Sequence, residues 1–435
     1  MLPNQVAHSA PDSKPDSKKE QSVRFCWHVI TSEYPPQPGG VSDYTYGVAV
    51  GLAAEGDQVH VWCPAYLSAQ PQAEGVVVHR ELGAITPTKL RRVGQQLDRF
   101  PAPRRILVQW VPHGFGYRSM NVQFCLWILG RSLFHRDHVE IMVHEAFLAF
   151  WEGTWKQDLA AAIHRLMTSI LLQAARGVWV STPKWIDTWK PYAFGRRIPF
   201  RWLPIPSNVA VIHDPIGISA IHKRYAAGGI LLGHFGTFGS FITNLLRHML
   251  PPLLTENQDL SLLLIGPGSE SFRNEMVQLR PDIGSRISAV GYLAASDPEL
   301  SRHISACDLM IQPYADGVTS RRSTIMAALS HALPTITTSG RLTEPFWSES
   351  QAVGLHPADD MLCFRELVRS LTEDGDQRKR LGERGRTLYE ERFEMSRTIG
   401  ALRGDYNPIA APLNLGDEPT ERSPLPLRSK EFPKR

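Results

Sequence analysis

The sequence contains few cysteines, and their arrangement narrows the class of protein. It has 435 residues and only five cysteines, an odd number that is widely spaced and includes no Cys-x-x-Cys pair. Disulfide frameworks and zinc clusters need regularly spaced cysteines, so we expect neither and predict a reducing compartment. The five are expected to be small buried apolar residues. They are Cys26, Cys63, Cys125, Cys307 and Cys363.

Long apolar segments are also missing. No stretch of ~20 uncharged apolar residues occurs, so we expect no membrane-spanning helix. The first 22 residues lack the apolar core of a secretory signal, and we therefore predict a cytoplasmic protein. The most apolar segment is Met120–Gly130, which is about half the length needed to span a bilayer. We interpret it as core. The alternative is peripheral contact with the inner face of a membrane.

No charge of one sign dominates. The chain has 47 Lys and Arg against 43 Asp and Glu, which gives a formal net charge of +4. Nucleic-acid-binding domains concentrate basic residues on one face, so we predict no nucleic-acid partner. The sequence has no His-x-x-x-His pair, no Gly-x-Ser-x-Gly elbow and no Walker loop. We expect neither a bound metal nor a resident cofactor.

Short β-rich apolar runs alternate with longer helical patterns in two series. The first series runs from Phe25–Ile30 to Gly177–Thr182 and is followed by a strand and exit loop at Trp202–Val209. The second series runs from Ile230–Gly236 to Leu333–Gly340. This alternation predicts an α/β protein with two parallel sheets, each covered by helices. Ligands bind beyond the carboxyl ends of such strands, so we expect a cleft between the sheets.

The composition divides the chain into five parts. Residues 1–22 and 405–435 are rich in proline and charge and are expected to be disordered tails. We place the N-terminal domain at 23–206 and the C-terminal domain at 207–390, and we expect residues 391–404 to form a closing helix.

Glycine-rich loops follow the first strand of each series. Gly39 and Gly40 precede a helix in the first series, and Gly236, Thr237 and Gly239 follow a strand in the second. Glycine lets a backbone approach a ligand closely, and a helix N-terminus offers unpaired N–H groups to an anion. Each loop is therefore a candidate phosphate site. An ordinary strand-to-helix turn remains the alternative for both.

The most informative segment is Pro313–Thr338. Ser320 is predicted to cap a helix, which would place Arg321 and Arg322 in its first turn. Cations are unfavourable there because the N-terminus is the positive end of a helix. The placement makes sense if a diphosphate docks between the guanidinium groups and the free N–H groups. The alternative is two solvated arginines, or pairing with Asp316.

Two further polar residues follow strands near the predicted cleft. His144 ends the strand Glu140–Glu145 and is a candidate to bond a sugar hydroxyl or an acceptor oxygen. Glu344 lies in the loop after Leu333–Gly340 and is a candidate acceptor for ribose hydroxyls. The alternatives are a core histidine and a solvated carboxylate.

In order and spacing, these segments resemble glycosyltransferase family 4, the group-1 glycosyltransferases of GT-B architecture. The resemblance covers roughly residues 23–402. It is carried by PPQPGGVSDYTYGVAVGLAAEGDQVHVWCP, LLLIGPGSE, the region Arg321–Pro334 and GRTLYEERFEMSRTIGAL. It implies two Rossmann-like domains whose parallel sheets face a central cleft. The N-terminal domain would bind the acceptor, the C-terminal domain would bind the nucleotide-sugar donor, and the last helix would pack back on the N-terminal domain.

The resemblance also implies a reaction and an arrangement of residues. Transfer would proceed with retention and without metal, from a nucleoside diphosphate sugar to a glycan (polysaccharide) or a lipid-linked acceptor. By position, Gly39 and Gly40 would face the donor diphosphate, His144 the donor sugar and Leu293 the base. In our hypothesis, Arg321 and Arg322 stabilise the leaving diphosphate.

The sequence departs from the family in two respects: GTFGSFITNLLRH lacks an early lysine for the usual basic donor-phosphate pair, and a pair of glutamates is missing. The family's two glutamates, eight positions apart, fall on Thr319 and Ala327. A second hypothesis is therefore a catalytically degenerate GT-B protein that binds a sugar nucleotide or a partner without transfer. A third is a sugar-nucleotide epimerase, for which Glu145 and Glu344 are the candidate carboxylates.

Overall fold

A computed structural model describes residues 25–66, 73–83, 85–116, 119–151 and 154–404. The two predicted tails, 1–22 and 405–435, lie outside the described residues. The described chain contains two parallel sheets with helices around each, and the predicted α/β fold class is confirmed.

The first sheet has seven parallel strands in the order β3-β2-β1-β4-β5-β6-β7. Its strands are β1 Cys26–Thr31, β2 Gln58–Trp62, β3 Val76–His79, β4 Arg105–Trp110, β5 His138–Val143, β6 Gly177–Val180 and β7 Phe200–Trp202. The helices connecting them are α1 Gly40–Ala54, α2 Pro87–Leu97, α3 Val122–Phe134, α4 Trp155–Ala174 and α5 Lys184–Trp189. The central strands are buried almost throughout, because helices cover both faces of the sheet.

The second sheet has six parallel strands in the order β10-β9-β8-β11-β12-β13. Its strands are β8 Ile230–Phe235, β9 Leu260–Ile265, β10 Ile287–Ala289, β11 Leu309–Gln312, β12 Thr335–Ser339 and β13 Gly354–Pro357. Its helices are α6 Pro215–Ala226, α7 Ser240–Glu256, α8 Ser269–Leu279, α9 Pro298–Ser305, α10 Ser323–Ser330, α11 Phe346–Glu349, α12 Met361–Glu373 and α13 Gly375–Arg392. This strand order places a topological switch point between β8 and β11, where ligands of doubly wound sheets bind.

Three local predictions differ from the structure. Two short edge strands, β3 and β13, were not predicted from the sequence. They are short and only partly buried, so their apolar pattern is weak. The strand and exit loop predicted at Trp202–Val209 begin earlier in the structure: the strand is β7, which ends at Trp202, and the residues after it form the loop.

The last helix, α14 Met395–Arg403, lies on the first sheet's side of the molecule. Ile399 and Leu402 share a buried cluster with Val48 and Leu52 of α1. Arg403 Nη1 lies 2.6 Å from Asp57 Oδ1, and both side chains are buried. The chain therefore crosses back from the second half to the first after α13.

Candidate functional site between the two sheets

The loops at the carboxyl ends of the two sheets touch each other. Thr182, just after β6, donates from Oγ1 to Glu344 Oε1 at 2.8 Å. Ser320 Oγ lies 2.9 Å from the carbonyl oxygen of Ser181 and accepts from Trp202 Nε1 at 3.0 Å. The carboxyl ends of both sheets therefore line one shared cleft, and loops of either half can reach a ligand bound there.

Glu344 is the centre of this junction. Its side chain is 6% exposed, and Oε1 also accepts from the Ser320 hydroxyl at 2.6 Å. The Ser320 N–H lies 3.1 and 3.2 Å from the two oxygens, and Trp347 Nε1 donates to Oε2 at 2.9 Å. A carboxylate has about four acceptor positions. With the Thr182 bond, the protein supplies four donors, so a ribose would have to displace one of them.

The predicted cap at Ser320 is corrected by the structure. The helix α10 begins at Ser323, Arg322 occupies the N-cap position, and no side chain caps the helix there. Ser320 cannot serve as the cap because its hydroxyl is held at the junction with Glu344. Arg321 and Arg322 therefore lie immediately before the helix rather than in its first turn, at the positive end of its dipole.

The two arginines are half-buried and lack anionic partners. Arg321 lies over the Trp185 ring at 5.7 Å, and Arg322 lies over the Tyr314 ring at 4.9 Å. Both Nε atoms are buried without a hydrogen-bond partner. Among the described residues, neither guanidinium has a carboxylate oxygen within 4.0 Å. Asp316, the alternative partner, pairs with Arg341 instead, at 3.0 Å.

Burial, together with the adjacent Arg322 charge, lowers the pKa of Arg321 to about 10. The side chain still carries its charge at neutral pH. Two guanidinium groups without an ion pair among the described residues, next to the uncapped N-terminus of a helix, form a site that suits an anion with several oxygens, such as a diphosphate.

The glycine loop after β8 lies beside this helix start. A Cβ built on Gly236 would lie 3.5 Å from Cγ2 of Thr324, in the first turn of α10. The backbone of Gly266 packs closely against this loop. Gly266 has a φ of 125°, and a Cβ built on it would lie 2.1 Å from the Gly236 carbonyl oxygen. Thr237 and Gly239 are exposed. The predicted phosphate loop and the arginine pair are thus brought together.

His234, two residues before this loop, was not identified from the sequence. Its Nδ1 lies 2.8 Å from the Ile311 carbonyl oxygen, so Nδ1–H donates and Nε2 keeps its lone pair. Nε2 is buried without a partner and would lie 3.9 Å from a Cβ on Gly236. Burial lowers the pKa of His234 to about 4, so it is a neutral acceptor beneath the loop.

His144 lies on the first sheet's side of the cleft. Its Nε2 is 2.8 Å from Gln109 Oε1, and its ring meets the Tyr44 ring edge-on at 4.9 Å. Burial lowers the pKa of His144 to about 3, so the ring is neutral at pH 7. With Gln109 Oε1 as acceptor, the proton is on Nε2 and Nδ1 remains an acceptor. His144 can therefore orient a hydroxyl but brings no positive charge.

Trp185 connects the two sides and was also missed. Its Nε1–H donates to the His144 carbonyl oxygen at 3.4 Å, and its ring faces the Arg321 guanidinium. Glu145 is close enough to favour the charged form of Arg321. His144 and Arg321, predicted from separate segments, therefore adjoin the same indole.

The first glycine loop differs from expectation. Glu33 Oε1 accepts from the Ser42 N–H at 2.9 Å, and a Cβ on Gly39 would lie 2.3 Å from the same oxygen. The N-terminus of α1 thus already holds a carboxylate, which opposes a diphosphate at Gly39. Gly40 is open, with no atom within 4 Å of a built Cβ. It lines a cavity of about 610 Å³ that reaches Ser323 at the start of α10.

The remaining predicted residue, Leu293, is half-buried and packs in the cluster that contains Phe235. Thr319 and Ala327, where the family's glutamates would fall, are both buried. Within the described ranges, no group of three or more His, Cys, Asp or Glu side chains is placed to hold a metal ion. No described helix is long and apolar enough to cross a membrane.

No family model and no curated protein sequence matches this chain. Solved structures do match it along most of its length. WaaG, a glycosyltransferase involved in lipopolysaccharide biosynthesis, is 13% identical with a TM-score of 0.60, covering 87% of this chain and 98% of WaaG. Sucrose-phosphate synthase from Thermosynechococcus elongatus is 16% identical with a TM-score of 0.66, covering 87% and 98%.

A third solved structure, Anabaena HepE in complex with UDP and glucose, is 14% identical with a TM-score of 0.60. The match covers 88% of this chain and 99% of HepE. These proteins share the arrangement of two parallel sheets around a cleft. The chain therefore has the GT-B fold, and the GT-B architecture implied by the resemblance is confirmed.

Proposed function

We propose that this protein is a glycosyltransferase that binds a nucleoside diphosphate sugar in the cleft and transfers the sugar to an acceptor hydroxyl. The observation that carries the proposal is the pair Arg321 and Arg322, which has no anionic partner among the described residues and adjoins the uncapped start of α10. The glycine loop after β8 lies beside them. The solved HepE complexes with UDP and UDP-glucose, which share this fold, support a nucleotide-sugar donor.

The chemistry follows from where charge develops. The bond between the anomeric carbon and the diphosphate oxygen breaks, a bond to the acceptor oxygen forms, and the acceptor's proton passes to the diphosphate. Arg321, Arg322 and the first N–H groups of α10 stabilise the negative charge on the leaving diphosphate, usually the largest catalytic effect. His144, neutral at pH 7, orients a sugar hydroxyl. In this proposal, the acceptor attacks on the leaving-group face, so configuration is retained without a metal.

The acceptor in this proposal is a hydroxyl of a glycan or of a lipid-linked sugar. The cavity between Gly40 and Ser323, which is lined by residues of both halves of the chain, offers room for it beside the donor site. Asp43 lines the same cavity and is hydrogen-bonded to Asn208 at 2.8 Å. Carboxylates and amides of this kind are suited to bind sugar hydroxyls.

The test is the replacement of each arginine by alanine, with Arg341→Ala as the matched control. Arg341 is largely exposed and pairs with Asp316, outside the proposed anion site. Calorimetry with UDP, GDP and ADP and turnover with the matching sugars should show a loss of about 10²-fold or more for Arg321→Ala and Arg322→Ala. The Arg341→Ala control should retain the wild-type nucleotide affinity and turnover. Wild-type turnover in both cleft variants would refute the assignment.

A catalytically degenerate binding protein is the second candidate, and one observation favours it. Thr319 and Ala327 place no carboxylate where the resembling family has its glutamate pair. Incubation with the donor found by calorimetry and a panel of sugar acceptors separates the two functions. Binding without transfer and without slow donor hydrolysis supports the second candidate, whereas either product supports the enzyme.

A further inference from the structure

Three helices of the first domain share one layer. Side chains of α2, α3 and α4 enter the same buried cluster beneath one face of the first sheet, for example Leu90, Phe124 and Met167. The other face is covered by α1 and α14. The solvent-facing side chains of α2, α3 and α4 therefore lie on one common outer surface.

This outer surface is unusually apolar. The segment Met120–Gly130, interpreted as core, has two sides: Phe124 and Ile128 are buried, whereas Leu126 points to solvent. Along α3 and α4, six large apolar side chains are at least half exposed. They are Leu126, Leu133, Phe134, Trp155, Leu159 and Leu166, and we refer to them as the α3/α4 apolar face.

The second domain shows no comparable cluster in its described residues. Its large exposed apolar side chains on helices are distributed one to a helix: Ile216 on α6, Phe241 on α7, Leu279 on α8 and Leu362 on α12. Isolated exposed apolar residues need no explanation, whereas contiguous ones mark an interaction surface. Among the described residues, such a cluster of exposed apolar side chains on helices is therefore found on the first domain and not on the second.

A groove runs along the edge of this face. It lies between α2 and α3, has a volume of about 590 Å³ and is lined by Leu90, Arg91, Leu126, Trp127 and Phe134, among others. Its lining also contains Asp98, whose carboxylate is paired with Arg131 at 2.8 Å. The groove thus has an apolar floor and, at its rim, Arg91 without an ion pair among the described residues, which suits a chain that is apolar along its length and anionic at its end.

The net charge of residues 85–200 also favours an anionic partner. Residues 85–200 contain 16 Lys and Arg against 7 Asp and Glu, an excess of nine positive charges, although the whole chain has an excess of only four. Arg91, Arg92 and Arg136 are exposed, and among the described residues none has a carboxylate within 4.0 Å. Free cations therefore flank the apolar face.

We infer that the α3/α4 apolar face docks this protein onto a bilayer containing anionic lipids. Apolar side chains would enter the boundary of the acyl region while the flanking arginines meet anionic headgroups. A second copy is the less suitable occupant. A two-fold contact would bring the same basic surroundings against each other, and like charges repel. The inference concerns binding alone and does not depend on the proposed transfer activity.

The experiment is co-sedimentation of the full-length protein with vesicles of phosphatidylcholine alone and of phosphatidylcholine mixed with phosphatidylglycerol. We expect strong binding to the mixed vesicles, weakening as salt is added because exposed charges are screened. Replacing Leu126, Leu133 and Phe134 together by Gln should lower the partition coefficient by about tenfold or more. Arg91→Glu with Arg92→Glu should reduce binding only to the vesicles that contain phosphatidylglycerol.

The matched controls are Leu279→Gln and Leu362→Gln, which alter equally exposed leucines on the second domain and should bind like the wild type. Circular dichroism checks that each variant is folded. Wild-type protein that stays in the supernatant with the mixed vesicles overturns the inference. So does a dimer in sedimentation equilibrium that the Leu126, Leu133 and Phe134 variant dissociates, because a second copy would then cover the face.

Discussion

Replacing Glu344 by alanine should both loosen the junction between the domains and weaken nucleotide binding. The carboxylate accepts from Ser320 N–H, Ser320 Oγ, Thr182 Oγ1 and Trp347 Nε1 over distances of 2.6 to 3.2 Å. The side chain is buried, so the alanine variant leaves the Ser320 N–H, Thr182 Oγ1 and Trp347 Nε1 without this acceptor and with little access to water. The Ser320 hydroxyl can turn to the Ser181 carbonyl oxygen at 2.9 Å. Because Ser320 precedes Arg321 directly, the arginine pair should also lose its fixed position.

The magnitude follows from the number of donors. A buried donor left unsatisfied costs roughly 1–3 kcal/mol, and the three donors are not independent, so we expect a loss of about 4 kcal/mol. In a domain of this size, a loss of that order lowers the thermal midpoint by roughly 8–16 °C. Glu344→Gln retains one oxygen and the volume, and should cost about half as much. Thr182→Val, which removes one donor across the junction, should cost about 1 kcal/mol.

Differential scanning calorimetry gives the midpoint, and titration with UDP gives the affinity. Glu349→Gln is the control, because Glu349 is an exposed carboxylate on the adjacent helix and its loss should change the midpoint little. A Glu344→Ala protein that melts within about 2 °C of the wild type would refute the reasoning. It would mean that the junction opens or rehydrates without cost.

Three further predictions rest on individual contacts. Burial lowers the pKa of His144 from 6.5 to about 3, so its contribution to stability, present above pH 6.5, should fall by ~2 kcal/mol between pH 7 and 5. Burial also lowers the pKa of His28 and His234, so the unfolding curves of His144→Phe should lose only this share of the wild-type pH dependence. Gly266→Ala sets a Cβ against the Gly236 carbonyl at a φ of 125° and should lower both the thermal midpoint and UDP affinity. Asp57→Asn removes the buried anion facing Arg403 at 2.6 Å and should cost about 3 kcal/mol, seen as faster amide hydrogen exchange in α14.

Much of the fold was predictable because the signals are local. Several central strands are short runs of Ile, Leu and Val followed by Gly or Pro, as in ILLGHFG and LSLLLIGPG, and burial on both faces favours such runs. The edge strands β3 and β13 were missed because one of their sides faces solvent, which removes the pressure for a continuous apolar run.

The candidate site was predictable only in part. The order of strands and loops located His144, the arginine pair and the loop at Gly236 near the cleft. Trp185 and His234 were missed because nothing in their neighbouring residues distinguishes them from core aromatics. Their importance comes from contacts with residues more than 30 positions away or with a backbone carbonyl of another strand.

The sequence alone determined two parallel sheets with ligand loops after their strands, because strand periodicity and glycine placement act over a few residues. Only the tertiary structure decided which charged side chains have hydrogen-bond or ion-pair partners. Glu33 accepts a hydrogen bond at the N-terminus of α1, and its charge opposes an anion at the first glycine loop. Glu344 accepts hydrogen bonds from Ser320 and Thr182. Arg321 and Arg322 are left without an anion. Charge compensation depends on distances of a few ångströms between segments far apart in the chain, and only folding sets those distances.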